Sequence, residues 1–253
     1  MIILDLRDGL TEDTVIWKYY NFSSFVNLLM DRNLVFRRVD LFADKLEGTL
    51  SALALNEFHK QLLTKTDSVD AKVRVEREAK NVENFKKFTY ANCWTINDNE
   101  NYALWKIYLN PEKNGLAVKT TIKNLKESIC FSSSDMKVPQ TITIKDVSYV
   151  QLRYNKSNQD KVFTTKNPEY IYESELRLLI KNQRDWNNKR KLISEGFNDM
   201  PVIYINVDLN KMIDTLFISP FSEVWFQKTV EKLLNLKGIN FDISKLSFSQ
   251  IKE

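Results

Sequence analysis

The chain has 253 residues, 43% of them hydrophobic, with 37 Lys or Arg against 33 Asp or Glu, so it can bury one sizeable core and carries a net charge of +4. One His and two Cys exclude zinc sites built from four Cys, from two Cys with two His, or from three His, because each set needs more ligands than the chain supplies. The five Gly form no GxGxxG pattern and no GxxxxGK followed by Ser or Thr, which excludes the usual phosphate-binding loops.

Signals of export or membrane insertion are missing from the sequence. No apolar run approaches the roughly 18 residues that span a bilayer, and Asp5 and Asp8 come too early for a signal peptide. Cys93 and Cys130 show no pairing pattern, as is usual in a reducing compartment. We therefore expect a cytoplasmic protein with no membrane partner, no disulfide and no metal.

The first part of the chain predicts strands followed by a helical region, from the periodicity of its apolar residues. The predicted elements are a strand at 15–20, a short helix that ends at Met30, a strand at 34–39, a turn at 40–48 and two helices within 50–88, joined by a linker at 64–70.

Strands dominate the rest of the chain. The predicted elements are strands at 89–95, 116–120, 142–152, 171–180, 202–207 and 213–218, a helix at 102–109, and a late helix that begins at Ser219-Pro220 and ends near 236. Because strands and helices do not alternate regularly, we predict an α+β fold with a mostly antiparallel sheet and helices early and late. We expect one domain over 1–253, with a helical insertion at about 50–88.

The late strand carries the sharpest local pattern. Alternation places Glu173, Glu175 and Arg177 on one face of that strand and its apolar residues on the other. Two carboxylates roughly 7 Å apart beside an Arg are suited to general-base work or to binding the hydroxyls of a sugar. The alternative is a solvent-exposed face of an edge strand with a Glu–Arg pair.

A second pattern lies in the turn at 42–48, where Asp44 and Glu47 stand three residues apart. This spacing predicts the start of a helix, with Asp44 as the N-cap and Glu47 reaching back as the third helical residue. We expect these two acids to act mainly in structure, by fixing the turn.

Aromatic and cationic residues alternate in a third set of segments. They are 17–20 on the first strand, Arg37-Arg38 on the second, Trp94, and Trp105-Lys106. Rings that stack and cations that bind phosphate suit a nucleotide, while the alternative is that the rings are core residues. His59 is expected at the surface or half-buried rather than in catalysis.

Taken in order, these segments resemble the bacterial domain-of-unknown-function family numbered 2971. The matching features are Lys18-Tyr19 on the first strand, the Phe-x-Asp-x-x-Glu-Gly turn at 42–48, Trp-x-x-Tyr at 105–108 followed by Gly115, and the Tyr-Glu-x-Glu-x-Arg segment at 172–177.

This layout in turn looks like a divergent ADP-ribosyltransferase, which implies a split sheet and NAD as co-substrate. The resemblance implies that Glu175 stabilises the positive charge that develops as nicotinamide leaves, with Glu173 beside it toward the acceptor. The implied NAD-binding residues are Lys18, Tyr19, Arg38, Trp105 and Arg177, with Lys18 or Arg38 on the phosphates and Tyr19 or Trp105 stacking on a ring.

We therefore expect transfer of ADP-ribose from NAD to a protein or nucleic-acid acceptor, in conflict with phage or rival bacteria. One alternative is a nuclease that holds Mg²⁺ with the four acids of the turn and the late strand, namely Asp44, Glu47, Glu173 and Glu175. The other is a non-catalytic binding or regulatory module.

Overall fold

The structure, a computed structural model, describes residues 1–44, 47–131, 141–150, 161–181, 200–236 and 238–251. It divides into two compact units, each assembled from three separate segments of the chain. Unit 1 comprises Met1–Asp5, Phe36–Asn92 and Lys137–Ile203, and unit 2 comprises Leu6–Val35, Cys93–Met136 and Tyr204–Glu253.

The strands are, in chain order, β1 (Ile2–Asp5), β2 (Val15–Asn21), β3 (Asn33–Arg38), β4 (Thr89–Ile96), β5 (Gly115–Thr121), β6 (Ile142–Asp146), β7 (Ser148–Tyr149), β8 (Thr165–Lys166), β9 (Glu175–Lys181), β10 (Val202–Asn206), β11 (Thr215–Ile218) and β12 (Leu246–Phe248). The α-helices are α1 (Phe22–Asp31), α2 (Ala52–Leu63), α3 (Ser68–Lys86), α4 (Tyr102–Leu109), α5 (Ile122–Ser128), α6 (Leu209–Met212) and α7 (Val224–Leu234). Short 3₁₀ turns cover Val39–Leu41, Pro168–Glu173 and Ile243–Lys245.

These elements confirm the α+β class with a mostly antiparallel sheet. The predicted strands and helices of the first part of the chain are present, including the two helices on either side of the 64–67 linker. Other predictions are wrong in their bounds. Residues 171–174 belong to a 3₁₀ turn and the residue after it rather than to a strand, and the late helix begins at Val224 with Glu223 as its N-cap, not at Ser219-Pro220. The strand predicted at 142–152 is divided into β6 and β7, and its last two residues lie outside the described residues.

In unit 1, three strands lie side by side in the order β1, β6, β9. β1 runs parallel to β6, with Ile2 opposite Ile142, and β6 runs antiparallel to β9, with Ile142 opposite Ile180. All but the last residue of β9 are buried, so both of its faces are covered by protein. The helical region packs through a small apolar cluster in which Ala54 and Phe58 of α2 meet Val75 of α3.

In unit 2, β2 pairs antiparallel with β5 over seven residue pairs, from Val15 opposite Thr121 to Asn21 opposite Gly115. β5 also pairs antiparallel with β11, which runs parallel to β12. Helix α4 covers this sheet and contributes to an apolar core made of Trp17, Tyr19, Leu104, Trp105, Leu109 and Ala117. Among the helices of the described ranges, none has the length and apolar content needed to cross a bilayer.

Candidate functional site

Five charged side chains meet in unit 1, and we call them the Lys166 cluster: Glu47, Lys166, Glu173, Glu175 and Arg177. The Lys166 Nζ lies 2.5 Å from Glu173 Oε2, 3.2 Å from Glu175 Oε2 and 3.7 Å from Glu47 Oε2. Arg177 Nη2 lies 2.8 Å from Glu175 Oε2 and also bonds Glu47 Oε1. Three carboxylates are therefore held by two cations.

Arg177 is the most buried member of the cluster. Its side chain is 0% exposed, and its Nη1 donates a hydrogen bond of 2.8 Å to the carbonyl oxygen of Phe163. A buried guanidinium is tolerated only when carboxylates and hydrogen bonds compensate its charge, and Glu47 and Glu175 supply the carboxylates here. The alternative of a solvent-exposed Glu–Arg face on an edge strand is therefore wrong for Glu175 and Arg177.

Glu173 and Glu175 lie in different secondary-structure elements. Glu173 ends the Pro168–Glu173 turn, Ser174 takes a left-handed conformation with φ of 40°, and Glu175 begins β9. The sequence predicted that alternation along one strand would bring Glu173 and Glu175 together. That prediction is wrong, because Glu173 lies outside the strand. Their carboxylates approach one another because both contact the Lys166 ammonium.

The turn at 42–48 brings Glu47 to the cluster. The Glu47 N–H donates to the Asp44 carbonyl at 3.3 Å, and Gly48 follows with φ of +69°. A Cβ on Gly48 would lie 3.2 Å from the side chains of Val39 and Phe163. A larger residue would therefore be strained here for two reasons: it would crowd these side chains, and it would have to adopt the positive φ that favours glycine.

The predicted capping role of Asp44 and Glu47 is wrong. Helix α2 begins at Ala52, and its N-cap is Ser51, whose side chain accepts a hydrogen bond from the Ala54 N–H. Glu47 instead pairs with Arg177 and Lys166.

Burial and neighbouring charge shift the pKa values of the cluster. Burial raises the pKa of the Glu47 carboxyl above its ordinary value, although Arg177 and Lys166 act in the opposite direction. Burial acts to lower the pKa of Lys166, but the carboxylates of Glu175 and Glu47 outweigh it and raise that pKa above its usual range. Lys166 is therefore a charged ammonium and not a nucleophilic amine.

A cavity of about 460 Å³ adjoins the cluster. Its walls come from Asp44 and residues 47–53 on one side and from residues 150, 165–167 and 170 on the other. The lining residues are Asp44, Glu47, Gly48, Thr49, Leu50, Ser51, Ala52, Leu53, Val150, Thr165, Lys166, Asn167 and Tyr170. Two members of the cluster, Glu47 and Lys166, thus face a space large enough for a small molecule.

Lys166 and Tyr149 belong to this site but were not predicted. The Tyr149 hydroxyl accepts a 2.7 Å hydrogen bond from the Glu175 N–H, and burial raises its pKa to about 12. Neither residue lies in a recognisable motif. The sequence offered one signal for a residue such as Lys166. Segment 172–177 has two acids and one cation, so burying it requires a further cation from elsewhere in the chain.

The remaining predicted NAD-binding residues contact partners other than the members of this cluster. Arg38, in unit 1, pairs with Asp40, with Nε 2.6 Å from Oδ1. In unit 2, the Lys18 Nζ donates a 2.6 Å hydrogen bond to the Cys93 carbonyl, and Tyr19 and Trp105 are core residues, 6% and 0% exposed. As placed here, the rings of Tyr19 and Trp105 pack against other side chains rather than presenting an open stacking face.

Within the part of the chain that the structure describes, no group of three His, Cys, Asp or Glu side chains is arranged to hold a metal ion. Comparisons of the chain with protein-family models, with curated proteins and with solved structures give no match.

Proposed function

We propose that unit 1 binds a nucleotide, with NAD as the first candidate, and that the protein is a cytoplasmic ADP-ribosyltransferase-like enzyme. The observation that carries this proposal is the convergence of three carboxylates on the buried Arg177 and the half-buried Lys166, beside a cavity of small-molecule size. The resemblance to the family numbered 2971 belongs to the same proposal.

The electrostatics of the cluster suit a reaction in which positive charge develops on a sugar. Lys166 and Arg177 hold the Glu175 carboxylate from two directions, at 3.2 and 2.8 Å, so it need not reorganise during a reaction. Carboxylates outnumber cations in the cluster, and a carboxylate fixed in this way would stabilise an oxocarbenium-like ribose more than the neutral ground state.

The cavity lining also fits the parts of a nucleotide. Tyr170 offers a half-buried ring, whose centroid lies 5.5 Å from the Lys166 Nζ, on which a base can stack. Leu50, Leu53 and Val150 form an apolar portion of the wall. Carboxylate oxygens such as those of Glu47 accept hydrogen bonds from ribose hydroxyls.

The first experiment measures NAD binding by calorimetry and nicotinamide release by chromatography, with the wild type and two variants. In Glu175→Gln the shape is kept and the charge removed, so we expect nicotinamide release to fall by roughly 10²–10³-fold while NAD binding changes little. Glu127→Gln, at an exposed position in unit 2, is the matched control and should behave as the wild type.

Several outcomes would contradict the proposal. Unchanged release in Glu175→Gln would remove that residue from catalysis. A wild type that binds NAD but releases no nicotinamide with any protein or nucleic-acid acceptor would leave a binding or regulatory module. No binding of NAD or of any other nucleotide would reject the nucleotide assignment altogether.

A Mg²⁺-dependent nuclease is the second candidate, favoured by one observation. Glu47, Glu173 and Glu175 converge on the Lys166 Nζ, at 3.7, 2.5 and 3.2 Å. Divalent-ion ligands lie at about 2.0–2.6 Å, so these carboxylates would have to draw closer around an ion that replaced the ammonium. Nuclease activity would therefore require Lys166 to move away. Mg²⁺-dependent cleavage of DNA or RNA by the wild type, lost in Glu175→Gln, would favour this candidate over NAD chemistry.

A further inference from the structure

Glu47 has a chemical capacity that the proposed NAD chemistry does not use. It lines the cavity of unit 1, yet its side chain is only 7% exposed. Burial raises the pKa of its carboxyl group above the ordinary value, so Glu47 keeps its proton to a higher pH than an exposed glutamate does. A buried carboxylic acid in the wall of a cavity can donate that proton to a bound ligand.

The contacts of Glu47 assign this proton to one of its two oxygens. Oε1 accepts a hydrogen bond from Arg177 Nη2, whereas Oε2 lies 3.7 Å from the Lys166 Nζ, which is beyond hydrogen-bond length. The carboxyl proton therefore belongs on Oε2. When the proton leaves, the new carboxylate already has the Arg177 guanidinium and the Lys166 ammonium beside it, and both cations stabilise its charge.

Glu175 is placed to act as the charged partner of this acid. Both cations contact the same oxygen of Glu175, with Arg177 Nη2 at 2.8 Å and Lys166 Nζ at 3.2 Å, so a negative charge there is compensated. Arg177 Nη2 thus joins an acid to an anion. Cleavage of a glycosidic bond uses such a pair, because one carboxylic acid protonates the leaving group while a carboxylate stabilises the sugar cation.

We propose that unit 1 also hydrolyses the N-glycosidic bond of purine nucleosides and nucleotides, with Glu47 as the general acid. This inference rests on the nucleotide binding proposed above and names a second substrate class for the same cavity. A purine needs a proton in order to leave the ribose as a neutral base, whereas nicotinamide leaves NAD as a neutral molecule without one.

The reaction balances with water as the only co-reactant. The bond between C1′ and the purine nitrogen breaks, its electron pair stays with the base, and the proton of Glu47 Oε2 passes to the base. Glu175 stabilises the oxocarbenium-like ribose, as in the NAD reaction. Water then forms a bond to C1′, and the proton that it loses returns to Glu47. The products are the free base and the ribose or ribose phosphate.

The experiment compares two substrates that differ in whether the base needs a proton. Chromatography measures the release of guanine from guanosine and of 7-methylguanine from 7-methylguanosine, whose methylated ring already carries a positive charge and therefore leaves as a neutral base. We expect Glu47→Gln in the full chain to lower guanine release by about 10²–10⁴-fold, the contribution of one general acid. Release of 7-methylguanine should stay close to that of the wild type.

Further variants separate the role of Glu47 from general damage to the site. Glu175→Gln should slow both substrates, because both pass through an oxocarbenium-like ribose. Glu76→Gln, at an exposed position on α3 of unit 1, should release both bases as the wild type does. If circular dichroism shows Glu47→Gln unfolded, Glu47→Asp takes its place, because it keeps a carboxyl group but withdraws the acid by one methylene group.

Two outcomes would overturn this inference: no guanine release by the wild type, or equal loss of both bases in the folded Glu47 variant. The first outcome together with nicotinamide release from NAD would leave the proposed NAD reaction standing. Guanine release without any turnover of NAD would reject that reaction and keep Glu47 as the acid of a nucleoside hydrolase.

Discussion

Arg177 joins the two ends of the candidate site, because one guanidinium serves Glu47 from the 42–48 turn and Glu175 from β9. Its substitution tests whether the cluster is a structural requirement of unit 1. Arg177→Met keeps much of the volume but leaves buried carboxylates without that cation, so we expect a loss of about 3–5 kcal/mol in the free energy of unfolding, measured with urea.

The matched control for this change is Arg74→Met on α3. Arg74 is 53% exposed and pairs with Asp70 at 3.7 Å on the helix surface, where an ion pair contributes about 0–1 kcal/mol. If Arg177→Met were no more destabilising than Arg74→Met, the pairs that Arg177 makes would not be holding the turn to the strand.

Glu47 links the stability of the protein to pH. Its pKa is raised by burial above the ordinary value of 4.5, so the folded state holds its proton more tightly than the unfolded state does. The resulting stabilisation is fully present below pH 4.5 and is lost as pH rises through the folded pKa.

Glu47→Gln removes this titration, so we expect the variant to lose less stability than the wild type as pH rises from about 4 to 7. The measurement is the melting temperature of both proteins across that range, because the difference between the two curves isolates the one group. Parallel curves would show that Glu47 titrates alike in the folded and unfolded states.

Helix α2 begins at Ala52, in the wall of the cavity, and the contribution of its N-cap Ser51 to stability can be measured. Ser51→Ala removes the acceptor of the Ala54 N–H, and we expect a loss of about 1 kcal/mol in unfolding free energy. The comparison variant is Asp44→Ala, which removes the side-chain acceptor and should leave the helix content of the folded protein unchanged, because Ser51 rather than Asp44 caps α2. A loss of helical circular dichroism in Asp44→Ala but not in Ser51→Ala would restore the capping role that the sequence suggested.

Local sequence patterns predicted an element correctly where the capping residue and the apolar spacing indicated the same structure. Helix α4 has the predicted bounds, Tyr102–Leu109, and its N-cap Asn101 accepts from the Leu104 N–H. The Ser219-Pro220 pair misled because a Ser side chain satisfies a turn as readily as a helix: Ser219 Oγ accepts from the Phe221 N–H five residues before α7 begins.

The candidate site was predictable only in part. Glu47, Glu173, Glu175 and Arg177 stand in short motifs, and they do converge in unit 1. Lys166 does not stand in a motif, and its role depends on tertiary contacts across more than a hundred residues to Glu47. Strand alternation describes neighbours along one element, so it could not show that a third segment supplies the cation that joins Glu173 to Glu175.

The two units are interleaved along the chain, which passes between them five times. The boundaries fall within strands β3, β4 and β10, so neither unit is a contiguous piece of sequence. We expect both units to unfold in one transition, since unfolding either one would interrupt strands that the other also uses.

Two probes can test this, because they weight the two units differently. The buried tryptophans Trp17, Trp94 and Trp105 lie in unit 2, so fluorescence read in a Trp186→Phe background, which removes the tryptophan of unit 1, follows unit 2. Far-ultraviolet circular dichroism follows both units, because helices α2 and α3 lie in unit 1 and the other helices lie in unit 2. Coincident urea midpoints are expected, and midpoints that separate would show that the units unfold independently.

The parallel pairing of β1 with β6 also sets an order of events during synthesis. Ile2 lies opposite Ile142, so at 5–20 residues per second the first strand leaves the ribosome about 7–28 s before its partner exists. During that interval β1 has no β6 to pair with, and a strand with open hydrogen-bonding groups can pair with a neighbouring nascent chain. Slower elongation should therefore lower the soluble yield of this protein unless a chaperone covers its first residues.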